Sequence, residues 1–227
     1  MSVRVCHVWR KILVVATGGA IIIHAHGSSA DTAPAQTPVP PADTPAASVA
    51  PVFATPFIQY GVAFTTEFVA AAGGLCSNGA APCILGSGGG VVFPRIGWRS
   101  LGHWYVGGAY EISKQDAGTL YVLPILQQLR GEARYYVLDG HVAAPFIEGS
   151  AGVAGYGDEW KVDTYGPCVS LALGVETQLS RRTAVGATFA YRVIHFGGFT
   201  DSAGTPRDAG FTQLLGLNIL LEVRDPY

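Results

Sequence analysis

Side-chain character alternates with a period of two along much of this chain. From Val169 to Glu176, the apolar residues Val169, Leu171, Leu173 and Val175 alternate with Ser170, Ala172, Gly174 and Glu176. From Val185 to Ile194, Val185, Ala187, Phe189, Tyr191 and Val193 alternate with Gly186, Thr188, Ala190, Arg192 and Ile194. Successive side chains on a strand point to opposite faces, so each stretch predicts a strand with one apolar face and one small or charged face. A soluble sheet would give the same beat. An aromatic outer face over an inner face carrying Glu176 and Arg192 suits a strand with lipid outside and a polar interior.

Eight such strands can be placed between Pro56 and the C-terminus. They cover about residues 57–71, 90–99, 103–112, 120–138, 143–157, 165–179, 183–195 and 210–223. Short links, Ser100-Leu101-Gly102, Asp139-Gly140 and Ser180-Arg181-Arg182, alternate with longer loops, and Asp-Gly is a strong hairpin signal. The pattern predicts an all-β fold, an eight-stranded antiparallel up-and-down transmembrane barrel. Closure also removes sheet edges, whose unpaired backbone groups are too costly in hydrocarbon. In the second strand Val92, Ile96 and Trp98 are predicted to face outward. Pro94 and Pro124 cannot donate to a ladder, so a bulge or a strand end is expected at each. Trp98, Trp104, Tyr110, Tyr135 and Trp160 are assigned to aromatic girdles at the membrane surfaces.

The inward positions then collect Glu67, Arg95, Arg99, Glu111, Arg130, Glu132, Arg134, Glu148, Glu176, Arg192 and Glu222. A barrel of eight strands is just wide enough for its side chains to fill. These charges are therefore expected to form a salt-bridged plug, with Arg forks engaging carboxylates. The alternative is that some of them sit in water at strand ends.

Composition agrees with a membrane barrel. The 227 residues carry a net charge of −2, are 13% charged and include 30 glycines, and mean hydropathy is +0.31. Near-neutrality gives no support for a nucleic-acid surface. Arg4, Arg10 and Lys11 precede an apolar run, Ile12 to Ile23, and Ser28-Ser29-Ala30 offers small residues for cleavage. Residues 1–30 thus read as a signal peptide, too short in apolar length for a spanning helix. Residues 31–55, rich in Pro and Ala, read as an extended periplasmic linker, and 56–227 as the barrel. An even strand number puts both barrel ends on the periplasmic side.

The segment Ala144-Pro145-Phe146-Ile147-Glu148-Gly149-Ser150-Ala151-Gly152-Val153-Ala154-Gly155-Tyr156-Gly157 and the triplet Ala190-Tyr191-Arg192 resemble the small outer-membrane β-barrel proteins of Gram-negative bacteria, of the OmpA/OmpX-like kind. That resemblance implies an envelope structural element, adhesin or surface antigen in contact with outer-membrane lipid and lipopolysaccharide. It also implies a monomer inserted by the barrel-assembly machinery, which reads a C-terminal aromatic residue. Tyr227 is in phase with Val223, Leu221, Ile219 and Leu217, but Asp225 occupies an apolar slot and Pro226 follows.

Candidate chemistry is sparse. Cys76 and Cys83 frame the first long loop in a compartment that permits disulfides, so a bond between them is predicted. Cys168 is then an unpaired thiol or a rival partner. His195 and Ser202 are the best catalytic candidates, because barrel enzymes acting on lipid A acyl chains use His and Ser near the membrane surface. Here His195 is followed by Phe196 and Gly197, without a close His–x–Ser pairing. Gly88-Gly89-Gly90 has no following helix to make a phosphate loop. No catalytic, metal or cofactor site is assigned, and any surface ligand is left unspecified. The competing readings are a narrow pore or carrier for small solutes, a lipid A-modifying enzyme, and a secreted β-sandwich.

Overall fold

The computed structural model describes residues 56–76, 83–116, 121–138 and 141–226. The expected signal peptide, the linker to residue 55, the Asp139-Gly140 turn and Tyr227 lie outside the described residues. Strands β1 (Phe57–Ala71), β2 (Gly88–Arg99), β3 (Trp104–Gln115), β4 (Pro124–Tyr136), β5 (Ala143–Asp158), β6 (Thr164–Gln178) and β7 (Thr183–Phe196) follow one another along the chain. A small hairpin, β8 (Phe199–Thr200) with β9 (Pro206–Arg207), precedes the last strand, β10 (Gly210–Pro226). Eight strands form a closed antiparallel barrel in the order β1-β10-β7-β6-β5-β4-β3-β2. Chain neighbours pair, and β1 closes on β10 from Phe57↔Pro226 to Ala71↔Gln213. Both barrel ends therefore lie at the end of connections 100–103, 137–142 and 179–182, the short-turn end, and the three longest connections, 72–87, 116–123 and 197–209, lie at the other. Among the described residues no helix is long and apolar enough to cross a membrane.

The two-residue period sorts the side chains. On β6, Val169, Leu171, Leu173 and Val175 are exposed on the outer wall, while Cys168, Ala172 and Glu176 are buried inside. On β10, Leu217, Ile219 and Leu221 face out and Leu220, Glu222 and Arg224 face in. The outer wall is thus largely aliphatic and aromatic, far more apolar than the surface of an ordinary soluble domain. At the short-turn end Trp104 packs edge-on against Tyr135, with ring centroids 5.1 Å apart. At the other end Tyr110 and Tyr191 donate to Gln127 and Gln213, each at 2.9 Å.

Pro94 changes the phase of β2. Pairing with β3 shifts between Val92 and Arg95, and pairing with β1 shifts between Gly61 and Ala63. The bulge expected at this proline is present, and it overturns one expectation. Val92 is 1% exposed and faces inward, while Phe93 takes the outer wall. An extra residue in one strand reverses the alternation beyond it. Pro124 opens β4, where a missing N–H costs no ladder bond. The strand expected from residue 120 therefore starts four residues later, and Tyr121 packs inside the loop end.

Inward glycines make room for inward rings. A Cβ on Gly97 or Gly107 would fall 2.5 Å from Tyr105, and one on Gly174 would strike Phe146. Tyr105 and Phe146 are consequently laid flat inside the short-turn half of the barrel, both fully or nearly fully buried.

The outer wall predicts a sharp positional effect. Leu171, 61% exposed at mid-strand, replaced by Arg should destabilise the barrel in lipid vesicles by ~2–4 kcal/mol, whereas Thr177→Arg near the strand end should cost about 0–1. Equilibrium urea unfolding in vesicles measures both. Equal, negligible costs would mean that this wall faces water.

Candidate functional site: the barrel lumen

All eleven charged residues assigned to the interior are buried, at 7% exposure or less. They do not form separate pairs. Starting at the short-turn end, Arg99 lies 2.9 Å from Glu176, and Arg224 also pairs with Glu176. Arg134 reaches Glu222 with two nitrogens, at 3.1 and 3.0 Å, and Glu148 with Nε at 2.7 Å. Arg95 bridges Glu148 at 2.5 Å and Glu132 at 2.7 Å. Arg130 then links Glu132, at 3.2 Å, to Glu111. Arg192 joins Glu111 at 3.1 Å to Glu67 at 2.5 Å. The result is one string of alternating sign running along the barrel interior.

Neutral side chains finish the string at both ends. Gln59 donates to Glu176 at 3.0 Å and to Glu222 at 2.5 Å, and the Tyr136 hydroxyl donates to Glu176 at 2.9 Å. Glu67 accepts from Ser113 at 2.6 Å and Gln115 at 2.5 Å. Guanidinium faces rest on aromatic rings: Arg99 lies 3.5 Å over the Tyr136 centroid, and Arg134 lies 4.9 and 4.7 Å from those of Tyr105 and Phe146. Buried charge is tolerable only when it is paired and hydrogen-bonded.

Sequence reading missed six members of this interior: Arg224, Ser113, Gln115, Gln128, Gln59 and Tyr136. Arg224 lies beyond the end assigned to the last strand, and β10 continues to Pro226. Ser113 and Gln115 fell in an assigned loop, but β3 runs through them. Gln128, which donates to Glu67 at 3.4 Å, Gln59 and Tyr136 carry no charge, so a search for opposite charges passes over them. With Arg224 included, the buried set holds six glutamates and six arginines, so the lumen is formally neutral. The signal for Arg224 was present, since it is two residues from Glu222 and in phase with it.

The loop end is closed differently. Leu75, Ile84, Leu85, Tyr121, Leu126, Ala154, Tyr156, Cys168, Ile194, Phe196 and Leu214 form one buried apolar cluster. Cys76 and Cys83 are disulfide-bonded, with Cα atoms 4.1 Å apart, and Cys168 is a buried free thiol. His195 faces outward and packs edge-on against Phe211 at 4.7 Å. Ser202 is exposed in the turn of the β8–β9 hairpin. Beside it, the buried Asp201 accepts from the Ala203 and Thr205 amides at 3.0 and 2.8 Å and from Arg207 at 3.0 and 2.8 Å. Burial raises the Asp201 pKa, but these amides and the guanidinium outweigh it and hold the carboxyl below its ordinary value of 3.8.

Two outcomes are expected. Arg134→Ala leaves Glu222 without its main partner and Glu148 with Arg95 alone, and should cost ~3–5 kcal/mol in barrel stability. Arg182→Ala removes an exposed 4.0 Å pair with Asp225 and should be silent. Thermal loss of the compact form on gels ranks the two. For Asp201, a depressed folded-state pKa means that its stabilisation is full above 3.8 and is lost as pH falls through the lower folded value. The Ala203 and Thr205 amide proton shifts should therefore stay constant from neutral pH to about 4 and titrate only below it. A midpoint at or above the ordinary Asp range would contradict this.

No family model matches the sequence, and no curated protein does. Among solved structures, the chain is similar to neisserial surface protein A (NspA), with a TM-score of 0.51 and 15% identity over 74% of this chain and 96% of that one. It is also similar to the outer membrane protein OprG from Pseudomonas aeruginosa, with a TM-score of 0.53 and 13% identity over 77% of this chain and 97% of that one. At these identities the likeness is one of architecture: this chain folds as the small, closed, eight-stranded barrel seen in outer-membrane proteins.

Proposed function

We propose that this chain is a non-enzymatic barrel of the bacterial outer membrane, with a structural or surface-interaction role in the envelope. The observation that carries the reading is the pairing of an apolar outer wall with a lumen filled by a neutral, alternating string of charge. A catalyst needs reactive groups free to meet a substrate. Here each buried carboxylate faces a guanidinium, and the loop-end mouth is packed with apolar side chains. The partners of such a barrel are membrane lipid and lipopolysaccharide around its wall, and the barrel-assembly machinery during insertion. The short-turn end, where both barrel ends lie, faces the periplasm, and the longer loops face outward. The chain acts as a monomer, since the barrel has no open edge to pair.

A second reading, a narrow path for small solutes, draws on one specific observation. Inward positions Ser150, Gly152, Ser170, Gly174 and Gly186, on the wall opposite the long charged arms of β2–β4, keep partial solvent access. Such a seam of small residues could hold water beside the charges.

The deciding experiment runs the outer-membrane fraction on an SDS gel, boiled and unboiled. A faster unboiled band in the membrane fraction is the expected result. A soluble protein with no mobility shift would overturn the barrel assignment.

A further inference from the structure

The first long loop does not simply span β1 and β2. Its described flanks turn back into the barrel mouth, where Leu75, Ile84 and Leu85 are each at most 4% exposed. The Ile84 amide donates to the Leu75 carbonyl at 3.2 Å, forming a neck closed by the Cys76–Cys83 disulfide. Two further contacts tie this neck to other parts of the chain. The Tyr156 hydroxyl donates to the Ile84 carbonyl, and Arg207 donates to the Leu75 carbonyl at 3.4 Å. Arg207 is itself fixed by Asp201, both side chains being almost fully buried. Residues 83–87 add no strand to the barrel ladder. They are held by side-chain packing, a few hydrogen bonds and one covalent latch.

We propose that this neck is a disulfide-latched lid on the loop-end mouth, bolted by the Asp201–Arg207 pair and released by a dithiol reductant. The chemistry balances as thiol–disulfide exchange. A reductant thiolate attacks one sulfur of the Cys76–Cys83 bond and forms a mixed disulfide, and the other cysteine leaves as a thiolate. The reductant's second thiol then displaces the first cysteine and closes its own disulfide. Two electrons pass to the protein, and two protons complete the Cys76 and Cys83 thiols. Without the latch, Cys76 and Cys83 no longer tie the two described flanks of the neck together, and the lid-open state becomes more populated. Opening withdraws Leu75, Ile84 and Leu85 from the cluster that also buries Cys168. Cys168, inward on β6, thereby becomes reachable from the loop end.

The lid rests on the barrel reading above, and Cys168 supplies a reporter that separates the two. Purified protein is exposed to a water-soluble maleimide, and modification of Cys168 is followed by mass spectrometry. Oxidised wild-type protein should be protected. The Cys76→Ser/Cys83→Ser variant, and wild-type protein reduced in place, should be modified on the order of tenfold faster. Arg207→Gln, which unbolts the lid but keeps the disulfide, should fall between them. Each sample is checked for the unboiled gel shift, so that barrel loss is not mistaken for lid opening. Equal protection with and without the disulfide, in samples that keep the shift, would overturn the lid. Should the double variant lose the shift, the reduced wild-type protein distinguishes the same two outcomes. Loss of the shift in the oxidised protein itself would sink the barrel reading and the lid with it.

Discussion

An open sheet edge leaves a row of backbone N–H and C=O groups without partners, and the rest of this structure follows from the closure that removes it. Pairing of β1 with β10 removes the only two edges that an eight-stranded meander would otherwise expose. Closure at eight strands then fixes the interior width to that of packed side chains. The apolar half of each strand is required outside, so the interior must be built from what remains. Glycine, serine, glutamate and arginine occupy it for that reason. Charged side chains from all eight barrel strands meet in the lumen, among them Glu148 on β5, Glu176 on β6 and Arg192 on β7.

Charge buried inside a closed barrel must also sum close to zero, and geometry must let opposite groups meet. The string from Arg99 through Glu176, Arg134, Glu148, Arg95, Glu132, Arg130, Glu111 and Arg192 to Glu67 satisfies both conditions. Because each interior member has at least two neighbours of opposite sign, replacement of one side chain disturbs two pairs. Arg suits this role better than Lys, since its fork can face one carboxylate with two nitrogens and a second with Nε, as Arg134 does. The aromatic platforms of Tyr105, Phe146 and Tyr136 add attraction on the guanidinium faces, where no carboxylate can sit.

The architecture and the charged interior were legible because the period of two is local: two neighbouring residues suffice to assign a face. Where sequence reading failed, the failures were local too. Pro94 signalled a bulge, but the direction of the phase change was not carried to Val92. Strand ends were set too short at Ser113, Gln115 and Arg224, so one arginine was missing from the balance. The loop-end cap was not legible at all. Leu75, Ile84 and Leu85 have no periodic neighbours, and nothing in their immediate sequence says that the loop turns inward. Their burial depends on contacts with Tyr156 and Arg207, more than 70 positions away from Ile84 and more than 130 from Leu75.

The two ends of the lumen are thus closed by opposite physics. Along most of its length, closure is electrostatic and strongly directional, and the string is assembled from all eight barrel strands, so it cannot open without disturbing several of them. At the loop end, closure is apolar, and the side chains of Leu75, Ile84, Leu85 and Tyr121 that complete it come from outside the ladder. Apolar contact is non-directional and divides into small increments, and a segment held that way can leave without breaking a strand pair. The Asp201–Arg207 pair fits this division. It is local in sequence, lies within one hairpin, and reaches the neck through a bond to the Leu75 carbonyl. A barrel built to be inert throughout would have no need of separate fastenings at one end. Confinement of the disulfide, the hairpin and the apolar cluster to the loop end therefore locates any controlled opening there, above a charge string that stays in place.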